Sequence, residues 1–298
     1  MHTSNPWFGR GGYAEQTIGA GIERIATATG DTTASYGFRG GFGFIVALCY
    51  IVGMDKVLKD WLNELKTQEN QLQEPDIERS LAYAKDLLQG LAMLRSFPQG
   101  VSIFGSARLP EDSKYYQSAR KLGGLLANNG HPVVTGGGHG IMAAASFGAY
   151  EYGGRVLGLN IKLPHEQTLN PYVSDSIEFH YFFARKVMLT MAAKAYVFYP
   201  GGFGTIDEFM EILVLMQTHK MPQMPMFLID KKFWKPFEKF IITRLESNGL
   251  ISKKDRGFYK ITDDITEVVE AANKIGHQKI GENIYDSDIY DNLKRVKK

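Results

Sequence analysis

From Val101 onward, short apolar segments alternate with helical segments, and this alternation constrains the fold more than any other feature of the chain. Apolar segments at 101–105, 132–135, 155–161, 177–181, 195–199 and 226–229 have the length of buried strands. Helical segments are predicted at 115–129, 141–152, 182–193, about 205–218, 233–247 and 264–275. Strands separated by helices predict an α/β fold, namely a doubly wound, mainly parallel sheet with helices on both faces.

Three of the predicted strands end in glycine turns, which contain Gly105, the run 136–140 and the run 201–204. The carboxyl ends of parallel strands meet at one edge of a sheet, where ligands bind near the point at which strand order reverses. We therefore expect the three turns to converge on one ligand site. Taken alone, the run 136–140 also fits a simple strand-to-helix turn, because no P-loop Lys-Ser or Lys-Thr follows it.

The most specific turn reads Pro-Gly-Gly-Phe-Gly-Thr-Ile-Asp-Glu over residues 200–208. Glycines let the backbone approach a ligand closely, and a helix N-terminus offers unpaired N–H groups to an anion such as phosphate. Asp207 and Glu208 fall in the predicted first turn of the helix. There they either stabilise the helix dipole or act on a bound sugar phosphate.

Arg185 and Lys186 are adjacent bases on an otherwise largely apolar helical segment that leads directly into this strand and turn. A buried arginine requires an anionic partner, either a carboxylate or a phosphate. The alternative is a solvated pair on the outer face of the helix.

Composition excludes several classes of function. The chain has 298 residues, 34 basic and 32 acidic side chains and a formal net charge of +2, which does not favour a nucleic-acid or polybasic membrane surface. With a single cysteine, Cys49, it forms no intramolecular disulfide, which indicates a reducing, cytoplasmic compartment. No pattern of metal ligands is visible, so we expect no metal and no cofactor.

Four regions are predicted: an extension over 1–53, a helical segment over 54–97 with a helix at about 75–95, an α/β domain over 98–275 and a polar tail over 276–298. The extension contains an uncharged, mostly apolar run over 40–54 with four glycines. This run is shorter than the roughly 17–25 residues of a membrane-spanning helix, which favours a packed or oligomer-facing segment over an anchor. Because Met54 opens a conventional soluble sequence, a non-native extension is a third hypothesis.

The pair Arg185-Lys186 combined with the 200–208 turn resembles the LOG (Lonely Guy) family of nucleoside 5′-monophosphate phosphoribohydrolases, whose pattern is PGGxGTxxE preceded by Arg-Lys. Similar elements are Gly105-Ser106, the turn from Gly136 to Met142 and the segment 163–166. The resemblance covers roughly residues 97–245 and is closer to the longer bacterial relatives. It implies a Rossmann-like fold and a homodimer or higher oligomer.

The resemblance also implies roles for individual residues. Glu208 would stabilise positive charge on the ribose and orient or deprotonate the attacking water, and Arg185 would hold that carboxylate or a substrate oxygen. Asp207 would bind a ribose hydroxyl or cap the helix, and Glu211 would pair with Arg185 or face solvent. Lys186 would add charge near the substrate. The other predicted substrate-binding residues are Gly201, Gly202, Gly204 and Thr205 for the 5′-phosphate, with Glu166, Gly105, Ser106, Gly137 and Gly138.

The function expected from the resemblance is hydrolysis of the N-glycosidic bond of a nucleoside 5′-monophosphate, a small-molecule substrate, to free base and ribose 5-phosphate. The role would be nucleotide salvage or cytokinin activation, and the base stays open. The alternative is a non-catalytic carrier or sensor that binds a nucleotide or a molybdenum-cofactor-type ligand with the same turn. Arg185 with Glu208 favours the enzyme, because a pure anion binder gains nothing from a carboxylate near its ligand.

Overall fold

The computed structural model describes residues 74–162 and 168–275, and these form one parallel sheet covered by helices. The predicted extension, residues 54–73 of the predicted helical segment and the polar tail lie outside the described residues. The strands are β1 (Gly100–Phe104), β2 (Val133–Thr135), β3 (Val156–Ile161), β4 (Asp175–Phe179), β5 (Ala193–Phe198), β6 (Met226–Ile229) and β7 (Lys260–Thr262). The helices are α1 (Glu74–Ser96), α2 (Lys114–Asn128), α3 (Ile141–Glu151), α4 (Phe182–Met191), α5 (Phe203–Gln217), α6 (Lys231–Phe240) and α7 (Thr266–Ile275).

The sheet has the strand order β4-β3-β2-β1-β5-β6-β7, and every neighbouring pair is parallel. Successive strands move outward from β1 to β4, and the chain then returns to place β5 on the other side of β1. Val101 of β1 consequently pairs with both Val133 of β2 and Ala195 of β5. The predicted doubly wound α/β fold is confirmed, and its switch point lies between β1 and β5.

Two apolar layers enclose the sheet, which explains why its central strands are continuous apolar runs rather than alternating ones. One layer is built by α1, α4, α5 and α6, and the other by α2, α3 and α7. Buried residues that represent the first layer are Leu94, Met188, Phe209 and Trp234. Those of the second are Leu122, Ala145 and Val268. No helix within the described ranges is long and apolar enough to cross a membrane.

The two edge strands of the sheet, β4 and β7, depart from the sequence-based prediction. β4 begins and ends two residues before the predicted segment 177–181. The short edge strand β7 and the 3₁₀ turn Lys253–Phe258 before it were not predicted. Only Thr262 of β7 is buried, so the strand has no apolar run that could reveal it.

Candidate active site

The three glycine turns lie at the carboxyl ends of β2, β1 and β5, which are neighbours at the centre of the sheet. Backbone hydrogen bonds join the turns: Ser106 N–H donates to Pro200 O at 3.1 Å, and Ile141 N–H donates to Ser106 O at 3.1 Å. Gly140 has φ 59°, and a Cβ there would collide with the backbone of Ser106 and Ala107. The predicted convergence is therefore present, and it coincides with the switch point.

The start of α5 is open to an approaching ligand. Its N-cap is Gly202, which provides no side-chain cap, so the first N–H groups of the helix lack a partner from a capping side chain. An ideal Cβ at Gly202 or Gly204 would meet no atom within 4 Å. Gly202 also has φ −91°, which other residues adopt readily. Neither packing nor backbone conformation requires glycine at position 202, so a side chain there would obstruct only an incoming ligand.

Gly201 and Thr205 make a different contribution to the same turn. Thr205 is 5% exposed, and its side chain lies where a Cβ at Gly201 would have to be. This glycine therefore allows the turn to close on the first turn of α5. Of the predicted phosphate-binding glycines, Gly201 shapes the loop while Gly202 and Gly204 keep it accessible.

Asp207 and Glu208 do not lie in the first turn of α5, contrary to the prediction. The helix begins at Phe203, so the two carboxylates are its fifth and sixth residues and its first turn contains no acidic side chain. Helix capping is thereby excluded as the role of Asp207. Glu208 follows Gly204 by four residues, which places the two on the same face of α5, with the carboxylate one turn beyond the open helix start.

Arg185 is held in a buried position by neighbouring strands. It is 9% exposed, its Nε donates to Leu159 O of β3 at 2.7 Å, and its Nη2 lies against Gly136 in the turn after β2. Burial lowers the pKa of Arg185, and the negative charge of Glu208 opposes that effect. The outer-face alternative for this residue is excluded, and the guanidinium is fixed at the carboxyl edge of the sheet.

Glu208 is half-buried beside this arginine. Burial raises its pKa to about 7, while the positive charges of Arg185 and Lys186 act in the opposite direction. The negative charges of Asp207 and Glu211 contribute to the increase. A carboxyl group with such a pKa exchanges protons near neutral pH, which is the property required of a general acid or base.

Lys186 forms ion pairs with two carboxylates of α5, with Nζ 3.0 Å from Asp207 Oδ2 and 2.6 Å from Glu211 Oε2. Burial lowers the pKa of Lys186, but these two partners raise it more, so the net change is upward. Both predicted alternatives for Glu211 are wrong, since it neither pairs with Arg185 nor stands free in solvent. The pairs join α4 to α5 and so connect the helices that carry Arg185 and Glu208.

The turn after β2 is fixed by a residue to which sequence reasoning gave no role. Asn170 is 2% exposed, and its Nδ2 donates to Gly137 O and Gly138 O at 3.0 Å each. Thr135 Oγ1 accepts from Gly137 N–H at 3.1 Å. Asn-Pro at 170–171 is a turn signal, but nothing local shows that its amide binds a distant loop.

The remaining predicted residues are Glu166, Gly105 and Ser106. Glu166 lies outside the described residues. Ser106 Oγ accepts from Arg108 N–H at 3.1 Å, and a Cβ at Gly105 would collide with Ile141, so both help to hold the turns together. In the ranges 74–162 and 168–275 no group of three or more His, Cys, Asp or Glu side chains is arranged to hold a metal ion.

A family model and several known proteins match parts of this chain. A family model described as possible lysine decarboxylase matches residues 142–272. A cytokinin riboside 5′-monophosphate phosphoribohydrolase of Rhodococcoides fascians is 26% identical over 186 residues, 60% of this chain and 92% of the relative. The LOG enzyme of the same name from Oryza sativa subsp. japonica is 32% identical over 157 residues, 51% of this chain and 63% of the relative.

Two further proteins are similar over comparable regions. An uncharacterized protein of Archaeoglobus fulgidus is 31% identical over 109 residues, which are 36% of this chain and 69% of the relative. Among solved structures, the molybdenum cofactor binding protein of Rippkaea orientalis has a TM-score of 0.44 and 21% identity, covering 60% of this chain and 97% of its own. That structural likeness says nothing about the ligand of the present protein. The family model and the relatives named as phosphoribohydrolases together show that the chain belongs to the LOG family.

Proposed function

We propose that the protein hydrolyses the N-glycosidic bond of a nucleoside 5′-monophosphate to free base and ribose 5-phosphate. The observation that carries this proposal is the buried positive charge of Arg185 acting on Glu208, whose pKa is raised to about 7 and which lies one turn beyond an open helix start. The combination provides an anion site and a proton-exchanging carboxyl group within one short segment. The names of the Rhodococcoides and Oryza relatives support the same reaction.

The 5′-phosphate is expected at the start of α5. There the uncapped N–H groups of the first turn and the positive end of the helix dipole attract an anion. The absence of side chains at Gly202 and Gly204 lets phosphate oxygens approach the backbone. A substrate held in this way would present its ribose toward the face of α5 that carries Glu208.

The chemical step then requires one water molecule. The bond between ribose C1′ and the base nitrogen breaks, the base leaves with the electron pair, and a bond forms between C1′ and the water oxygen. Glu208 in its ionised form stabilises the positive charge that develops on the ribose and accepts a proton from the water. The departing base takes up one proton and Glu208 releases the one that it accepted, so that the products are neutral base and ribose 5-phosphate and the carboxylate is restored.

Arg185 keeps Glu208 available for this role. Because burial favours the protonated carboxyl group, a nearby fixed positive charge is needed to retain the ionised form near neutral pH. The hydrogen bond to Leu159 O and the contact with Gly136 fix the guanidinium, so its charge does not have to be reoriented during the reaction.

The description of the matching family as possible lysine decarboxylase finds no support in two lysines of the described residues. Lys186, in the site, is held in ion pairs with Asp207 and Glu211, and Lys194 lies far from the glycine turn. Decarboxylation with pyridoxal phosphate needs a lysine that forms a Schiff base in the ligand pocket. Lys194 is fully buried, but it lies near the start of β5, four residues before the strand ends at Phe198. At about 3.3 Å per residue, this puts it roughly 13 Å from the glycine turn.

We also propose that the protein assembles as a homo-oligomer and acts in the cytoplasm. The support for assembly is the exposed apolar surface of α4 and α5, where Phe203 is 94%, Phe182 57% and Val214 46% exposed. Large apolar side chains that are exposed on neighbouring helices are a feature of interaction surfaces. Light scattering coupled to gel filtration tests the assembly, and a monomer at micromolar concentration would contradict it.

The reaction is tested with purified protein and a panel of AMP, GMP, IMP, CMP, UMP and isopentenyl-AMP. Chromatography monitors free base and ribose 5-phosphate, and the Glu208→Gln variant controls for contaminating enzymes. Release of base from any nucleotide by the wild type alone establishes the reaction and identifies the substrate. Binding without base release by the wild type would instead support the carrier or sensor.

A further inference from the structure

Asp86, on the helix that precedes the α/β domain, accepts hydrogen bonds from the chain segment that leads into α4. Its Oδ2 accepts from His180 N–H at 2.7 Å and from Tyr181 N–H at 3.0 Å. Its Oδ1 lies 3.3 Å from His180 Nδ1. Asp86 is 2% exposed, so this carboxylate is committed to the junction between β4 and α4 and is hardly available to solvent.

Further contacts hold α1 against the same part of the molecule. The ring of Tyr83 packs edge-on against Tyr181 and Phe183, with centroid distances of 4.5 and 5.0 Å. One turn beyond Asp86, Gly90 leaves room for Met188, because a Cβ at position 90 would lie 2.5 Å from Met188 Cγ. Helix α1 therefore supports α4 at its start and along its length.

The junction matters because α4 has no side-chain cap of its own. Its N-cap, Tyr181, provides no capping hydrogen bond, and the carboxylate that binds the backbone N–H groups just before this helix comes from another element. The first hydrogen bonds of α4 include Arg185 N–H to Tyr181 O at 3.2 Å. Asp86 is thus bonded to the residue from which the turn carrying Arg185 begins.

We propose that Asp86 is a positioning residue for the hydrolytic reaction, which it serves by fixing the start of α4 and thereby the position of the Arg185 guanidinium. This inference rests on the proposed function and extends it to a helix outside the glycine-turn motifs. Helix α1 thereby contributes to the site, because the arrangement at the carboxyl edge of the sheet depends on a carboxylate that never contacts substrate.

The test compares the Asp86→Ala variant with wild-type protein by kcat, KM and the pH at which kcat is half-maximal on the acidic side. Displacement of Arg185 by about 1 Å is expected to lower kcat by about ten- to a hundredfold. KM for the nucleotide is expected to stay within about threefold, because phosphate binding depends on the start of α5. The midpoint is expected to move to higher pH, since Arg185 would oppose the burial of Glu208 less effectively.

The other charged groups that act on Glu208 are Lys186, Asp207 and Glu211, and none of them is changed by this substitution. Asp264→Ala is the matched control. Asp264 accepts a hydrogen bond from Thr266 N–H at 2.9 Å at the start of α7, on the other face of the sheet. A cap lost there is expected to lower the melting temperature without moving the pH midpoint. His180→Asn removes the imidazole beside Asp86, so that a midpoint shift that persists in this background belongs to Glu208.

The conservative variant Asp86→Asn keeps one carbonyl oxygen as acceptor and is expected to recover part of kcat. It also carries the test if Asp86→Ala fails to fold. Wild-type kcat and pH midpoint in a folded Asp86→Ala variant would overturn the proposal, and so would wild-type values in Asp86→Asn if Asp86→Ala does not fold. An equal midpoint shift in Asp264→Ala would also overturn it.

A failure of the proposed function is distinguished from a failure of this inference by a readout that needs no turnover. If wild-type protein releases no base from any nucleotide, the proposed reaction is wrong. The titration of the Glu208 carboxyl, followed by carbon NMR in wild type and Asp86→Asn, still tests the positioning. An upward shift in the variant supports it, and identical titration curves would overturn it.

Discussion

The guanidinium of Arg185 occupies the space that any side chain at Gly136 would need. Arg185 comes from α4 and Gly136 from the turn after β2, so the contact joins two elements that are far apart in sequence. With the hydrogen bond from Arg185 Nε to Leu159 O, it defines where the positive charge of the site sits relative to Glu208. The first glycine of the 136–140 turn is thus explained by packing against the Arg185 side chain.

Gly136→Ala is therefore expected to displace Arg185 and to lower kcat by about a hundredfold, the scale associated with a misplacement of about 1 Å. Gly257→Ala is the matched control, because a Cβ at Gly257 would meet nothing within 4 Å. Steady-state kinetics of the two folded variants provides the comparison. Wild-type kcat in Gly136→Ala would show that the guanidinium position is not critical.

Glu208→Gln is expected to lower kcat by about 10²–10⁴-fold, the usual contribution of a positioned general acid or base. Nucleotide binding should largely persist, since the open start of α5 is unchanged. Turnover assays and calorimetric titration with the nucleotide measure the two effects. The exposed Glu270, on α7, supplies the control Glu270→Gln, which should retain wild-type turnover. Full activity in Glu208→Gln would remove this residue from the mechanism.

The raised pKa of Glu208 predicts how stability depends on pH. The folded protein keeps the proton up to about pH 7, whereas the unfolded chain loses it near its ordinary value of 4.5. The free energy of unfolding therefore falls as pH rises between these values. Glu208→Gln lacks this penalty and should be more stable than wild type at pH 8, by on the order of 3 kcal/mol, and equal to it at pH 4. Denaturant titrations of both proteins at the two pH values measure this difference in the free energy of unfolding. An equal difference at both pH values would contradict the prediction.

Gly204→Ala is expected to separate binding from stability. The position is helical and open, so alanine should leave the melting temperature unchanged or slightly higher. The added methyl group would nevertheless obstruct the phosphate, so KM for the nucleotide should rise by about tenfold or more. Gly201→Ala, whose Cβ would collide with Thr205, should instead lower the melting temperature. Unchanged KM in Gly204→Ala would place the phosphate elsewhere.

The strand and helix order and the convergence of the glycine turns could be predicted because both follow from local patterns and from the geometry of parallel sheets. The start of α5 could not be placed correctly, since Gly204 resembles a turn residue and yet lies within the helix. Asp207 and Glu208 consequently lie one turn deeper than predicted.

Contacts between elements that are distant along the chain could not be predicted from the sequence. Asp86 bonds a backbone segment about ninety residues away, Asn170 bonds the carbonyls of the 136–138 turn, and Leu159 contributes only its carbonyl oxygen. Backbone acceptors carry no sequence signal, and a single aspartate on a helix is usually solvated. The pairing of Lys186 with Glu211 was missed for the same reason, because it depends on how two helices pack.

The strand order makes a complete site dependent on the assembly of the whole sheet. Because β1 pairs with β5 across the switch point, the glycine turns of the first half and the Glu208 segment of the second half meet only when these strands dock. Forming this contact closes a long loop, which is entropically costly and slow compared with local pairing. A clipped or incompletely folded chain can retain many of its helices and still lack a complete site, so recovery of nucleotide hydrolysis after refolding measures long-range assembly rather than secondary structure.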